Sequence, residues 1–189
     1  MNIANWLNDA GRRWPERPAL FEGQRQVADY ATFAAHVRSR AAQLIGEHGI
    51  APGDRVALFM KNSCEYLELL YCVWWIGAVA VPINCKLHPV EAGWIANDAQ
   101  ARLIFTPEML PQGCRELNEA DSVVCASFDA TTLEDPCSRD ADDLAWLFYT
   151  SGTTGRSKGV MLSHGNLTAM SLCYPLDVDP VSPDDAVVY

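Results

Sequence analysis

The 189-residue sequence contains no Cys-x-x-Cys pair, no apolar run of membrane-spanning length, no internal repeat and no low-complexity tract. Its seven cysteines are an odd number without zinc-ligand spacing, and several sit in apolar runs where a free thiol behaves as a small hydrophobe. A disulfide scaffold and a zinc module are therefore excluded, and a reduced, cytoplasmic protein is expected. No long apolar core precedes a cleavage site near Arg12 and Arg13, so no secretory leader is predicted. The most apolar stretch, Leu69 to Ile83, is shorter than the roughly 18 residues a span requires, and Gly77 and Pro82 interrupt it. It reads as helix, turn and buried strand. Bases are scarce in the second half: from Ala101 onward there are 14 acids against 5 bases, compared with 10 against 9 before it. That balance argues against nucleic acid, whose phosphates attract Lys and Arg clusters, and fits a solvated acidic surface.

What is present is a globular composition, 49% apolar with six tryptophans and a formal charge of −10, in a chain long enough for one core. Ile3 to Arg13 predicts a short helix, and Ala19 to Val27 a hairpin turning at Glu22-Gly23. Phe33, Val37, Ala41, Leu44 and Ile45 recur at helical spacing, with Gly49 as the stop. Val56 to Met60 predicts a strand covered on both faces. Asn62 with Glu65 resembles a helix-start pair, and the helix runs to Ile76 with Gly77 as terminator. Val79 to Ile83 and Arg102 to Thr106 predict further strands around a helix at Pro89 to Asn97, with His88 as its cap. This alternation implies βαβ units and a largely parallel sheet, an α/β fold. Pro107 to Asp143, Pro-rich and acidic, predicts a long surface segment with one strand at Val123 to Ala126.

The densest chemistry lies in Tyr149 to Gly159, Tyr-Thr-Ser-Gly-Thr-Thr-Gly-Arg-Ser-Lys-Gly, after the apolar run Leu144 to Tyr149. Glycines let successive N–H groups converge on an anion, while the hydroxyls and Lys158 add donors and a positive charge. A polyphosphate loop is the expectation; the bland alternative is a polar surface turn. A Walker-type loop is excluded, because Ser157 stands before Lys158 and Gly159 after it. Other polar residues carry structural expectations. His164 is placed at a strand-to-helix junction. Cys173 has no neighbouring base. The pairs Asp142-Asp143 and Asp184-Asp185 read as solvated loop edges, and no metal site is expected.

The run Tyr149-Thr-Ser-Gly-Thr-Thr-Gly-Arg-Ser-Lys-Gly-Val160 resembles the phosphate-binding motif of the adenylate-forming enzymes, the superfamily of acyl-CoA synthetases, peptide-synthetase adenylation domains and firefly luciferase. Ser157 replaces the proline usual there. Val160-Met-Leu-Ser-His-Gly-Asn-Leu167 and Trp75-Ile-Gly-Ala-Val-Ala-Val-Pro-Ile-Asn84 resemble further family motifs, and Asp29-Tyr-Ala-Thr-Phe33 and Pro52-Gly-Asp-Arg-Val56 weaker ones. The resemblance runs from about Trp6 to Tyr189.

The resemblance implies a three-layer α/β fold, with a mostly parallel sheet flanked by helices, belonging to the N-terminal portion of the large AMP-binding domain. The implied parent is an ATP-dependent acid–thiol ligase, most closely an acyl-CoA synthetase of the kind found in fatty acid metabolism. It uses ATP, Mg2+, a carboxylic acid and coenzyme A. Thr150, Ser151, Gly152, Thr153, Thr154, Gly155 and Lys158 would grip the β- and γ-phosphates. The adenine site, the magnesium glutamate, the acyl pocket and the adenylation lysine of the family have no counterpart here. No catalytic residue is therefore assigned, the chain alone is expected to be inactive, and exposed core surface is expected to favour association. The alternatives are a peptide-synthetase adenylation domain and a non-catalytic phosphate-binding or interaction module.

Overall fold

The computed structural model describes residues 1–106, 133–150, 157–182 and 185–187. Helix α1 (Asn5–Arg13) leads into the hairpin of β1 (Pro18–Glu22) and β2 (Arg25–Asp29), followed by α2 (Tyr30–His48). The turn works because Gly23 takes φ +61°, a conformation that costs glycine little. Asp29 caps α2, its side chain accepting from the Thr32 N–H at 2.7 Å, and Gly49 ends it in the left-handed region. The main body then alternates: β3 (Arg55–Leu58), α3 (Cys64–Ile76), β4 (Val79–Pro82), α4 (Pro89–Asp98) and β5 (Ala101–Phe105). Strands β6 (Leu144–Thr150) and β7 (Lys158–Ser163) follow, with α5 (His164–Asp177) after them.

Five strands form one sheet in the order β5-β3-β4-β6-β7. The first four are parallel and β7 runs antiparallel to β6. Crossovers between parallel strands are right-handed, so crossovers running opposite ways along a sheet put their helices on opposite faces. The burial pattern follows that rule. Val56 and Leu58 pack with α2 and α3 on one face, while Ala57 packs with Ala92, Ile95 and Ala96 of α4 on the other. Leu103 and Phe105 alternate with Ile104 in the same way. The expected three-layer α/β architecture is the one observed.

Helix α3 is the centre of the larger core. Leu69, Leu70 and every residue from Cys72 to Ile76 are buried, and the Trp74 indole N–H donates to the Ala145 carbonyl at 2.9 Å. A helix apolar on all sides needs cover on all sides, which α2 and the sheet supply. Leu69 to Ile83 is thus helix, turn and strand as expected, and among the described residues no helix is long and apolar enough to cross a membrane. The helix start is one residue later than the sequence suggested. Ser63, not Asn62, is the cap, its hydroxyl accepting from the Tyr66 N–H at 3.1 Å.

The amino terminus has a structural use that no local pattern in the sequence indicates. Asn2 is buried and its amide donates to the carbonyls of Trp74 (2.6 Å) and Cys137 (2.9 Å). Cys137 N–H in turn donates to Trp75 O at 2.8 Å. Residues 133–143 form a surface segment without helix or strand, as expected, and Cys137 ties it to the end of α3. The predicted strand at Val123 to Ala126 falls outside the described residues.

Candidate phosphate site at the carboxyl ends of the parallel strands

Outgoing connections from β4 and β6 leave in opposite directions, β4 toward β5 through α4 and β6 toward β7. Neighbouring strands whose connections diverge leave a crevice at their carboxyl ends, where open α/β sheets bind ligands. A cleft of about 200 Å³ lies there, lined by Pro82, Ile83, Asn84, Leu87, Ile95, Tyr149 and Ser157. Thr150, the last residue of β6, pairs across the ladder with Lys158, the first of β7. Both are exposed, so a hydroxyl and an ammonium are carried at paired positions at the end of the β6–β7 ladder, next in sequence to the cleft residues Tyr149 and Ser157. Ser151, Gly152, Thr153, Thr154 and Gly155 lie between them in sequence and outside the described residues.

Tyr149 forms the wall beside this pair. Its hydroxyl donates to Asp98 Oδ2 at 2.6 Å, and its ring meets Trp94 edge-on with centroids 6.4 Å apart. Burial pushes its phenol above the ordinary range, and the Asp98 hydrogen bond and charge add to the effect. Gly159 is in close contact with the ring: a Cβ there would lie 3.1 Å from Cζ and 3.3 Å from the hydroxyl. The sequence motif begins at Tyr149 but gave it no role. Nothing in the sequence pointed to Asp98, which is far away in the chain.

The remaining candidates take structural roles. His88 caps α4, with Nδ1 accepting from the Val90 N–H at 3.3 Å. Asp143 accepts from the Asp140 N–H and lies 3.1 Å from Arg139 Nε, so it organises its loop rather than standing free in solvent. Cys173 is exposed. Among the described residues no three His, Cys, Asp or Glu side chains converge as a metal site.

His164 sits at the strand-to-helix junction as expected, fully buried, with its N–H donating to Asp143 O at 3.0 Å. Its Nδ1 accepts from the Ile3 N–H at 3.2 Å, which requires the neutral ring protonated on Nε2. Burial lowers its pKa to about 4, helped by the Arg139 guanidinium and the terminal amine and opposed by Asp143. The unfolded chain binds the proton more tightly than the folded one, so this contribution is complete above about pH 6.5 and is lost as pH falls toward 4. The expected loss is on the order of 3 kcal/mol. Urea unfolding at pH 7 and pH 4.5 checks it: His164→Gln should flatten the pH dependence, and an unchanged slope would refute the assignment.

The profile of the family described as "AMP-binding enzyme" matches residues 7–189. The chain belongs to this family. It is 34% identical over 169 residues to the 2-succinylbenzoate–CoA ligase of Geobacillus kaustophilus, covering 87% of this chain and 33% of that protein. The feruloyl-CoA synthase of an Amycolatopsis species is also 34% identical, over 98% of this chain and 38% of its own length. Among solved structures, o-succinylbenzoate CoA synthetase from Bacillus subtilis in complex with its acyl-adenylate intermediate superposes with a TM-score of 0.82 at 26% identity. That superposition covers 98% of this chain and 48% of the other. The chain thus spans about a third of the length of these curated relatives.

Proposed function

We propose that residues 1–189 are the N-terminal portion of the large AMP-binding domain of an ATP-dependent acid–thiol ligase of the acyl-CoA synthetase type, working in the cytoplasm. The observation that carries this reading is the Thr150–Lys158 pair at the carboxyl ends of the parallel strands, in a chain whose relatives include CoA ligases. The exposed apolar face supports the reading of a portion. Met161, Met170, Leu172, Leu176 and Val178 are all exposed, Leu176 at 83%. They belong to or adjoin edge strand β7 and α5, and a concentration of exposed large apolar side chains of this kind often marks where a protein meets further protein.

In the reaction a carboxylate oxygen of the acid attacks the α-phosphorus of ATP. The bond from that phosphorus to the bridging oxygen breaks, and pyrophosphate leaves with the electron pair. Negative charge grows on the departing β- and γ-phosphates. Lys158 and the Thr150 hydroxyl, together with Ser151, Gly152, Thr153, Thr154 and Gly155, hold that group and favour the transition state. The thiol of coenzyme A then attacks the acyl carbon and AMP departs. A peptide-synthetase adenylation domain shares the first step and differs in its acceptor; the CoA-ligase relatives favour coenzyme A. The two relatives are named for different acids and match at the same identity, so the comparison does not single out an acid.

The test is carboxylate-dependent exchange of labelled pyrophosphate into ATP. The full-length protein is expected to catalyse it with at least one acid of an aromatic and aliphatic series, and the 189-residue chain to give none. No exchange by the full-length protein with any acid would overturn the ligase reading. Exchange by the 189-residue chain would overturn its incompleteness.

A further inference from the structure

We propose that Tyr149 is a positioning residue for the adenylation half-reaction: its hydrogen bond to Asp98 anchors the Thr150–Lys158 pair to α4. The inference rests on the ligase reading above. Tyr149 is adjacent to Thr150 in β6 and pairs across the ladder with Gly159, the neighbour of Lys158. The one side chain therefore braces both strand ends that carry the phosphate-facing groups. Three contacts fix it: the 2.6 Å bond to Asp98, the edge-on Trp94 indole, and the bare Gly159 backbone. Asp98 is the last residue of α4, and Ala92, Ile95 and Ala96 of that helix are buried against the sheet. The anchor is thus a packed element rather than a loop.

Without the bond, β6 and β7 still pair through their backbones, but their ends gain freedom to rock against the crossover helix. Donors aimed at a developing charge lose most when they are free to move, because orientation is then settled during the reaction instead of beforehand. Asp98 also gains a partner that occupies its carboxylate close to where phosphates bind. Gly159 belongs to the same device. A methyl group there would push the phenol by a few tenths of an ångström, away from its hydrogen bond.

The experiment uses the full-length protein and separates the two half-reactions. Tyr149→Phe keeps the ring and removes only the hydroxyl. It is expected to slow ATP–pyrophosphate exchange about tenfold in kcat, while thioester formation from supplied acyl-adenylate, which involves no pyrophosphate, keeps its wild-type rate. Asp98→Ala should do the same, and Asp98→Asn, which retains an acceptor oxygen, should recover most of the rate. The Tyr149→Phe/Asp98→Ala double variant should be no slower than the slower single one, since both remove one interaction. Equal losses in both half-reactions, or no loss in exchange, would overturn the positioning role. Wild-type protein without carboxylate-dependent exchange overturns the ligase reading itself, and this inference with it.

Discussion

Lys158→Ala in the full-length protein is expected to lower the rate of carboxylate-dependent pyrophosphate exchange by roughly 10²–10³-fold, as loss of one preorganised donor to a developing oxyanion does. The melting temperature should stay within about 1 °C of wild type, because an exposed side chain on an edge strand contributes little to stability. Lys158 is the first residue of β7 and exposed, directly across from Thr150. On the proposed ligase reading, an ammonium in that place would meet the departing pyrophosphate, whose charge is greater in the transition state than in bound ATP. The loss should therefore fall mainly in kcat rather than in the KM for ATP. Lys158→Arg keeps the charge in a different shape and is expected to lie between the two. Thioester formation from supplied acyl-adenylate should not respond. The competing view of Lys158 as a solvated strand lysine predicts no change in either half-reaction, so the exchange assay decides between them. A large loss in both would point to a folding defect and against the phosphate role.

The parts of this molecule that were legible in the sequence are those written in local pattern. Gly23, Gly49 and Gly77 each take positive φ where a turn or helix end was read. The continuous apolar run at β3 became a strand whose successive residues face two different cores, as burial on both faces requires. The run Tyr149 to Gly159 stands out in the sequence because it concentrates unusual chemistry in few residues, although residues 151–156 lie outside the described ones. What escaped was long-range pairing. Asn2 donates to residues 72 and 135 positions away, and the Ile3 N–H to a histidine 161 positions away; no periodicity encodes such contacts. Asp98 is an exposed acid at a helix end, indistinguishable in sequence from a solvated one until Tyr149 is brought against it. The cap of α3 failed for a smaller reason. Asn62 and Ser63 are both good caps, and local sequence does not rank neighbouring candidates of equal merit.

The same limit hid the polar contact between α2 and α3. Arg40 and Glu68 face each other across the two helices with Arg40 Nη2 3.1 Å from Glu68 Oε2, their side chains 11% and 8% exposed. His36 Nδ1 lies 2.8 Å from the other Glu68 oxygen, and Glu65 lies 3.3 Å from Arg40 Nη1 at the rim. Two charges taken from water gain little over a well-packed apolar pair, but removing one strands the other. Glu68→Ala is expected to cost about 3–5 kcal/mol in urea unfolding followed by tryptophan fluorescence, because Arg40 then retains Glu65, a half-exposed carboxylate, in place of its buried partner. Glu68→Gln keeps the shape and two acceptor or donor positions, and should cost less. The decisive comparison is the double replacement Arg40→Met/Glu68→Leu, expected to regain most of the loss and to be at least as stable as wild type. Should the double variant be no more stable than Glu68→Ala, the loss came from a cavity against α3 and not from a stranded charge. Pyrophosphate exchange in the full-length double variant should remain near wild type. The pair lies on the face of the sheet packed by α2 and α3, whereas α4 and Tyr149 close the opposite core, so its stabilising role is separable from the phosphate site.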